Sequence, residues 1–85
     1  MGLPQQTVTL SAEQIEELNE RLCTMRHDIN NTLSLITAAV ELMQLKPHMA
    51  EKMMTTLLEQ PRKIGNSMDQ FSSEFERLFG ITRRN

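Results

Sequence analysis

Three side chains within one short segment have the chemistry needed to handle a phosphoryl group. His27 is followed directly by Asp28, and Asn31 comes four positions after the histidine. A histidine that attacks phosphorus must offer one unprotonated ring nitrogen to solvent while the other nitrogen keeps its proton and a fixed direction. A neighbouring carboxylate can accept the hydrogen bond of that second nitrogen, and a carboxamide can bind phosphate or water. We therefore take this segment as the candidate catalytic site.

A heptad pattern of apolar residues predicts the helix that carries this segment. One core position is occupied by Ile15, Leu22, Ile29, Ile36 and Met43, and the other by Leu18, Met25, Thr32 and Ala39. In this register His27 points directly away from the apolar seam, so we expect it to be exposed. Asn31 lies one turn further along the same outward face, and Asp28 lies nearer the flank.

The ends of this helix are marked by local signals. Ser11 and Gln14 have the spacing of a capping box, and Leu10 precedes them where a hydrophobic staple would begin. No proline or glycine follows until Pro47, so the predicted helix runs for about 35 residues. Pro47 disfavours helical geometry at the residue before it and suits the first turn of a new helix. We expect the chain to reverse around Leu45 to His48.

A second heptad pattern predicts a second long helix. Its two core positions hold Leu57, Ile64, Phe71 and Leu78, and Met54, Pro61, Met68 and Phe75. Pro61 removes one backbone donor, and Gly65 lowers helix propensity, so we expect a kink around Gln60 to Gly65 without an end to the helix. Gly80 is the expected stop.

Two antiparallel helices with such wide apolar stripes cannot cover each other completely. The predicted fold class is therefore all-α, a two-helix antiparallel hairpin that dimerises into a four-helix bundle. Residues 1–10 are expected to be a flexible leader, 11–80 the helical hairpin and 81–85 a tail.

The run His27-Asp28-Ile29-Asn30-Asn31 on a long heptad helix, followed by a hairpin, resembles the dimerisation and histidine-phosphotransfer domain of sensor histidine kinases. The acidic residue and the Asn pair are similar to the nitrogen-regulation-like variant of this domain. The resemblance implies that His27 is the phosphoacceptor, that Asp28 is its activating base and that Asn31 acts in dephosphorylating a partner. Many relatives carry a proline soon after the histidine, whereas this chain has Thr32-Leu33.

The resemblance implies a two-component phosphorelay module in which His27 exchanges a phosphoryl group with a response-regulator aspartate. No glycine-rich phosphate loop is visible, so the chain alone is not an autonomous ATP-dependent kinase. It is either a histidine kinase fragment or a histidine phosphotransferase, and the alternative is a catalytically degenerate scaffold for dimerisation or receiver binding. The expected partners are a second copy, a receiver domain and an ATP-binding kinase domain in the same or another chain. We expect the receiver to contact Arg26, Asn30, Ser34 and Thr37 beside Asn31.

Composition excludes several other classes of protein. A net charge of −2, a pI near 5.6 and 4% aromatic residues give neither a basic surface nor stacking platforms for nucleic acid. No apolar run reaches the roughly 20 residues of a membrane span, and no signal peptide is evident. The single cysteine, Cys23, fits a reducing compartment. We expect a cytoplasmic protein without nucleic-acid binding, membrane insertion, cofactor or metal.

Overall fold

The computed structural model describes residues 6–81, and it is all-helical over that range. Helix α1 spans Ala12–Leu45, a short 3-10 turn spans Pro47–Met49, and helix α2 spans Ala50–Phe79. The two long helices pack against each other as a hairpin. Its Cα atoms extend over 58 × 28 × 11 Å. The smallest extent is about one helix diameter, so the hairpin is a single layer in which each helix has one neighbour.

The predicted start of α1 is confirmed in atomic detail. The Gln14 backbone N–H donates to Ser11 Oγ at 3.1 Å, and the Ser11 backbone N–H donates to Gln14 Oε1 at 2.8 Å. These two bonds form the capping box and satisfy donors that a helix start otherwise leaves open. Of the predicted leader, residues 6–10 precede the helix without regular structure, and residues 1–5 lie outside the described part.

The reversal between the helices also lies where the proline predicts it. The Lys46 backbone N–H donates to Leu42 O at 2.8 Å and closes α1, and Pro47 opens the 3-10 turn. Helix α2 then continues through Pro61 and ends at Gly80. Gly80 has φ 64°, the left-handed conformation that glycine adopts most easily. The predicted stop is therefore confirmed, and the predicted tail beyond Ile81 lies outside the described residues.

The hairpin buries little of its apolar surface. Among the described residues only Ala39, Thr32 and Gln60 are buried. The large apolar residues of both helices that stay exposed are Ile15, Leu33, Leu35, Val40, Leu45, Met54, Leu58, Met68 and Phe75. Four of these were expected at core positions of the bundle, and a single hairpin leaves them uncovered.

The packing of α2 against α1 explains which apolar residues stay exposed to solvent. The face of α2 that packs on α1 combines two lines of residues, all buried or half-buried. One is the predicted core line of Leu57, Ile64, Phe71 and Leu78, and the other is the adjacent polar line of Gln60, Ser67 and Glu74. The other predicted core line, which includes Met54, Met68 and Phe75, is rotated away from α1 and is exposed. By helical phase these residues lie on the same side of the hairpin as Ile15, Leu33 and Val40 of α1. We call these six residues and Leu58 the open stripe.

Candidate functional site

Helix α1 presents His27 to solvent as the heptad register predicts. The side chain of His27 is 74% exposed and that of Asp28 is 50% exposed. Ile29 is half-buried beside them, which anchors this part of α1 to the hairpin while the histidine stays on the outer surface. The ring is therefore open to a second protein that approaches α1 from outside.

Both assisting residues lie at the same ring nitrogen of His27. Asn31 Nδ2 is 3.5 Å from His27 Nδ1, and Asp28 Oδ1 is 3.8 Å from the same nitrogen. The first distance is the upper limit of a hydrogen bond, and the second exceeds it. The helix spacing thus brings the three predicted residues together. Nδ1 is the nitrogen with partners, and the arrangement leaves Nε2 as the outward one.

The partner at Nδ1 decides which tautomer of His27 is present. If the Asn31 amide N–H donates to Nδ1, the ring proton must sit on Nε2, which then cannot attack an electrophile. If the Asn31 carboxamide turns over, or if the Asp28 carboxylate accepts, Nδ1 carries the proton instead. Nε2 then has a free lone pair directed at solvent. An acidic neighbour at Nδ1 therefore favours the nucleophilic tautomer.

Thr32 is buried one turn after Asp28 and bonds to the backbone of the candidate site. It is 7% exposed, and its hydroxyl donates to the backbone oxygen of Asp28 at 3.0 Å. A threonine bonded in this way to the previous turn is compatible with a continuous helix. Helix α1 is unbroken here, as expected from Thr32-Leu33 in place of a proline.

A groove between the two helices runs beside the site. It has a volume of about 120 Å³, and its lining consists of Arg21, Thr24, Met25, Asp28, Ser67, Gln70 and Phe71. Asp28 thus faces this groove on one side and His27 on the other. The polar residues Thr24, Ser67 and Gln70 were missed by the sequence analysis. In the sequence these residues lie beside the two heptad patterns, which could have suggested that they border the helix interface. Only the rotation of α2 in the structure shows that Ser67 and Gln70 face Thr24 across the groove.

An ionic cluster joins the helices beyond the groove. Arg21 lies 3.6 Å from Glu74 across the helix interface and 3.3 Å from Glu17 on its own helix, and Arg77 also bonds Glu74. The hydrogen bond from Arg77 holds the pKa of Glu74 below the ordinary value, with Arg21 acting in the same direction and partial burial opposing both. The hydrogen bond between Arg77 and Glu74 also raises the pKa of Arg77 above its ordinary value. The cluster therefore favours an ionised Glu74 in the folded hairpin.

We predict that Glu74→Gln lowers the melting temperature modestly at neutral pH. Because the pKa of Glu74 is lowered on folding, its ionised form stabilises the hairpin at pH values above its ordinary pKa of 4.5, and this stabilisation disappears as the pH falls through the lowered value. Thermal melts of the variant and the unmodified protein should differ at neutral pH and converge in strong acid. Glu59→Gln, at an exposed position of the same helix, is the control. A difference that is unchanged in strong acid would contradict this role.

The residues expected to contact a partner all lie on the exposed surface of α1. Arg26, Asn30, Ser34 and Thr37 are exposed. Three of them, all but Arg26, line a shallow depression together with Leu33, Ala38 and Glu41. Their short side chains leave room for close approach of another protein just beyond His27, towards the turn.

Cys23 lies one turn before His27 and is exposed. No group of three or more His, Cys, Asp or Glu side chains in residues 6–81 is arranged to hold a metal ion. Neither helix of the described hairpin is long and apolar enough to cross a membrane.

Comparisons of the chain with protein-family models, curated proteins and solved structures give no match.

Proposed function

We propose that this hairpin is a two-component phosphorelay module in which His27 exchanges a phosphoryl group with the aspartate of a response-regulator receiver domain. The observation that carries the proposal is the arrangement at His27: a 74% exposed ring with Asn31 and Asp28 both at Nδ1. When Nδ1 carries the ring proton, with Asp28 beside it, Nε2 is the nitrogen left for attack. An exposed histidine on an ordinary helical surface needs no partners at one defined nitrogen.

The transfer proceeds by direct displacement at phosphorus. Nε2 of His27 attacks the aspartyl phosphate of the receiver, the P–N bond forms, and the P–O bond to the aspartate breaks with its electron pair leaving on the carboxylate. The imidazole gains positive charge during this step, and the negative charge of the nearby Asp28 carboxylate stabilises it. Transfer in the opposite direction reverses the same bonds. The step requires no oxidant or reductant.

Two copies of the hairpin form the functional unit in this proposal. A single layer of two helices leaves the open stripe uncovered, and a second copy offers the same stripe in return. From Ile15 to Val40 the stripe is about 40 Å long, and across two helices it is about 20 Å wide. The resulting area, on the order of 800 Å² per copy, is that of a standard stable interface. The four-helix bundle buries this area and leaves His27 outside.

The receiver docks on the outer surface of α1. Asn30, Ser34 and Thr37 line a depression beside His27 that also contains Leu33 of the open stripe, so the receiver surface borders the dimer interface. Arg26 is exposed on the same helix. The groove lined by Asp28, Ser67 and Gln70 extends this surface onto α2. The phosphoryl group enters from a phosphorylated receiver, or from an ATP-binding kinase domain in this chain or another. In the first case the module is a phosphotransferase, and in the second it is part of a histidine kinase.

The direct test is to mix the protein with receiver domains that carry aspartyl phosphate. We expect labelled phosphate to appear on the hairpin in a form that is stable in base and lost in acid, as a phosphoramidate behaves. A folded dimer that binds receivers but never takes up label would identify the module as a scaffold without chemistry.

A separate prediction concerns Asn31. If its carboxamide orients the water that hydrolyses a receiver's acyl phosphate, Asn31→Ala should slow receiver dephosphorylation about tenfold or more, because positioning is lost. His27 should still accept label in this variant, and the fold should be unchanged because Asn31 is exposed. The measurement is a time course of labelled receiver, with Asn19→Ala as the control at an exposed position of α1 two turns before His27 and outside the receiver surface. Equal hydrolysis by the two variants would remove Asn31 from the site.

A further inference from the structure

We infer that α2 contains a hinge at Gln60 and Pro61, about which its turn-side arm (residues 50–60) opens away from α1 while its other arm (residues 61–79) stays packed. The hinge concerns the backbone of α2 and requires no chemistry at His27. It rests on three observations: a missing backbone donor, a buried polar atom without a partner, and an unequal attachment of the two arms to α1.

The first observation is the backbone at Pro61. Proline has no N–H, so the carbonyl of Leu57 loses its normal donor one turn later, in the middle of a 30-residue helix. Pro61 itself is exposed, and Gly65 follows one turn further on. A Cβ added at Gly65 would meet nothing within 4 Å in the hairpin, so packing between the helices does not require the glycine there. The helix is therefore weakest from Leu57 to Gly65.

The second observation is the side chain of Gln60, which is 1% exposed. Its Nε2 donates to Thr56 O at 2.7 Å, in the same turn that Pro61 weakens. Its Oε1 is buried and accepts no hydrogen bond. A buried acceptor without a donor destabilises the closed state, and any opening that admits water to Oε1 recovers that loss. Gln60 thus lowers the free-energy difference between the closed and open arm.

A second copy of the chain does not supply the missing donor. Gln60 lies on the same line of α2 as Ser67 and Glu74, which face α1 and the groove. The open stripe lies on the other side of the helix, where Met54 and Met68 are exposed. Dimerisation through that stripe leaves the environment of Gln60 unchanged.

The third observation is that the two arms are held differently. The arm after the hinge is linked to α1 by the ion pair between Arg21 and Glu74, whose atoms are 3.6 Å apart. In residues 50–60 the side-chain hydrogen bonds, Thr55 to Glu51 O and Gln60 to Thr56 O, stay within α2 and do not reach α1. With no polar link to α1, the turn-side arm is the part that opens.

Amide hydrogen exchange on the full chain tests the hinge. The compared segments are residues 55–59 and 70–74, which lie equally far from the two ends of α2, so fraying affects both alike. In the unmodified protein we expect residues 55–59 to exchange at least about tenfold faster. Pro61→Ala restores the missing donor, and Gln60→Leu removes the unpaired oxygen, so each should slow exchange in residues 55–59 several-fold and leave residues 70–74 unchanged.

Glu59→Ala, an exposed change beside the hinge, is the control and should not alter exchange in either segment. Light scattering on every variant establishes that the same oligomer is compared. Equal exchange of the two segments in the unmodified protein would overturn the hinge. So would unchanged rates in residues 55–59 for either Pro61→Ala or Gln60→Leu.

Discussion

Replacing His27 by alanine should abolish phosphoryl transfer while leaving the folded dimer intact. Without the imidazole no nitrogen is available to form the P–N bond, so label transfer from a receiver should fall to background. The side chain is 74% exposed, and an exposed side chain contributes little to packing. Melting temperature and oligomeric state should therefore match those of the unmodified protein.

The chain provides its own control for this experiment, because it contains a second histidine. His48 lies in the 3-10 turn at the far end of the hairpin and is also exposed. His48→Ala should transfer label at the unmodified rate. Loss of transfer in both variants, or in neither, would contradict the assignment of His27.

A second large loss is expected when a charge is placed in the proposed interface between two copies of the hairpin. Met68 is 52% exposed in the hairpin and lies at the centre of the open stripe. Met68→Asp should dissociate the dimer, because an unpaired carboxylate buried in an apolar interface costs several kcal/mol. Ile29→Asp should go further and largely unfold the protein, since Ile29 is half-buried within the hairpin itself.

Light scattering and circular dichroism separate these outcomes. The control is Asn66→Asp, which adds the same charge to an exposed position of α2 outside the open stripe. It should remain a folded dimer. A dimeric Met68→Asp variant would show that the copies associate through a different face, and a stable monomer of the unmodified protein at micromolar concentration would remove the bundle altogether.

Features that depend on neighbouring residues were predictable from the sequence. The capping box at Ser11, the reversal at Pro47 and the stop at Gly80 are each determined within one helical turn, and each is confirmed. The outward direction of His27 follows from heptad phase, which is also a local property. The helices around the site could therefore be placed without a structure.

Features that depend on how α2 rotates against α1 were not predictable. Both predicted core lines of α2 are apolar in sequence. Only the packing shows that the line of Leu57 faces α1 and that the line of Met54 is exposed. The same rotation buries Gln60, a polar residue that no hydrophobic pattern would place inside. It also pairs Ser67 and Gln70 with Asp28 in the groove. The approach of Asp28 to His27 depends on side-chain rotamers, which spacing alone does not fix.

If His27 carries the phosphoryl group, that group can be located on the chain. The protein would be incubated with a panel of phosphorylated receiver domains, digested under alkaline conditions that preserve phosphoramidates, and sequenced by mass spectrometry. We expect the phosphoryl group on His27 and an unmodified His48 peptide. Phosphate on another residue, or a hairpin that stays unmodified while it binds a phosphorylated receiver, would contradict this role of His27.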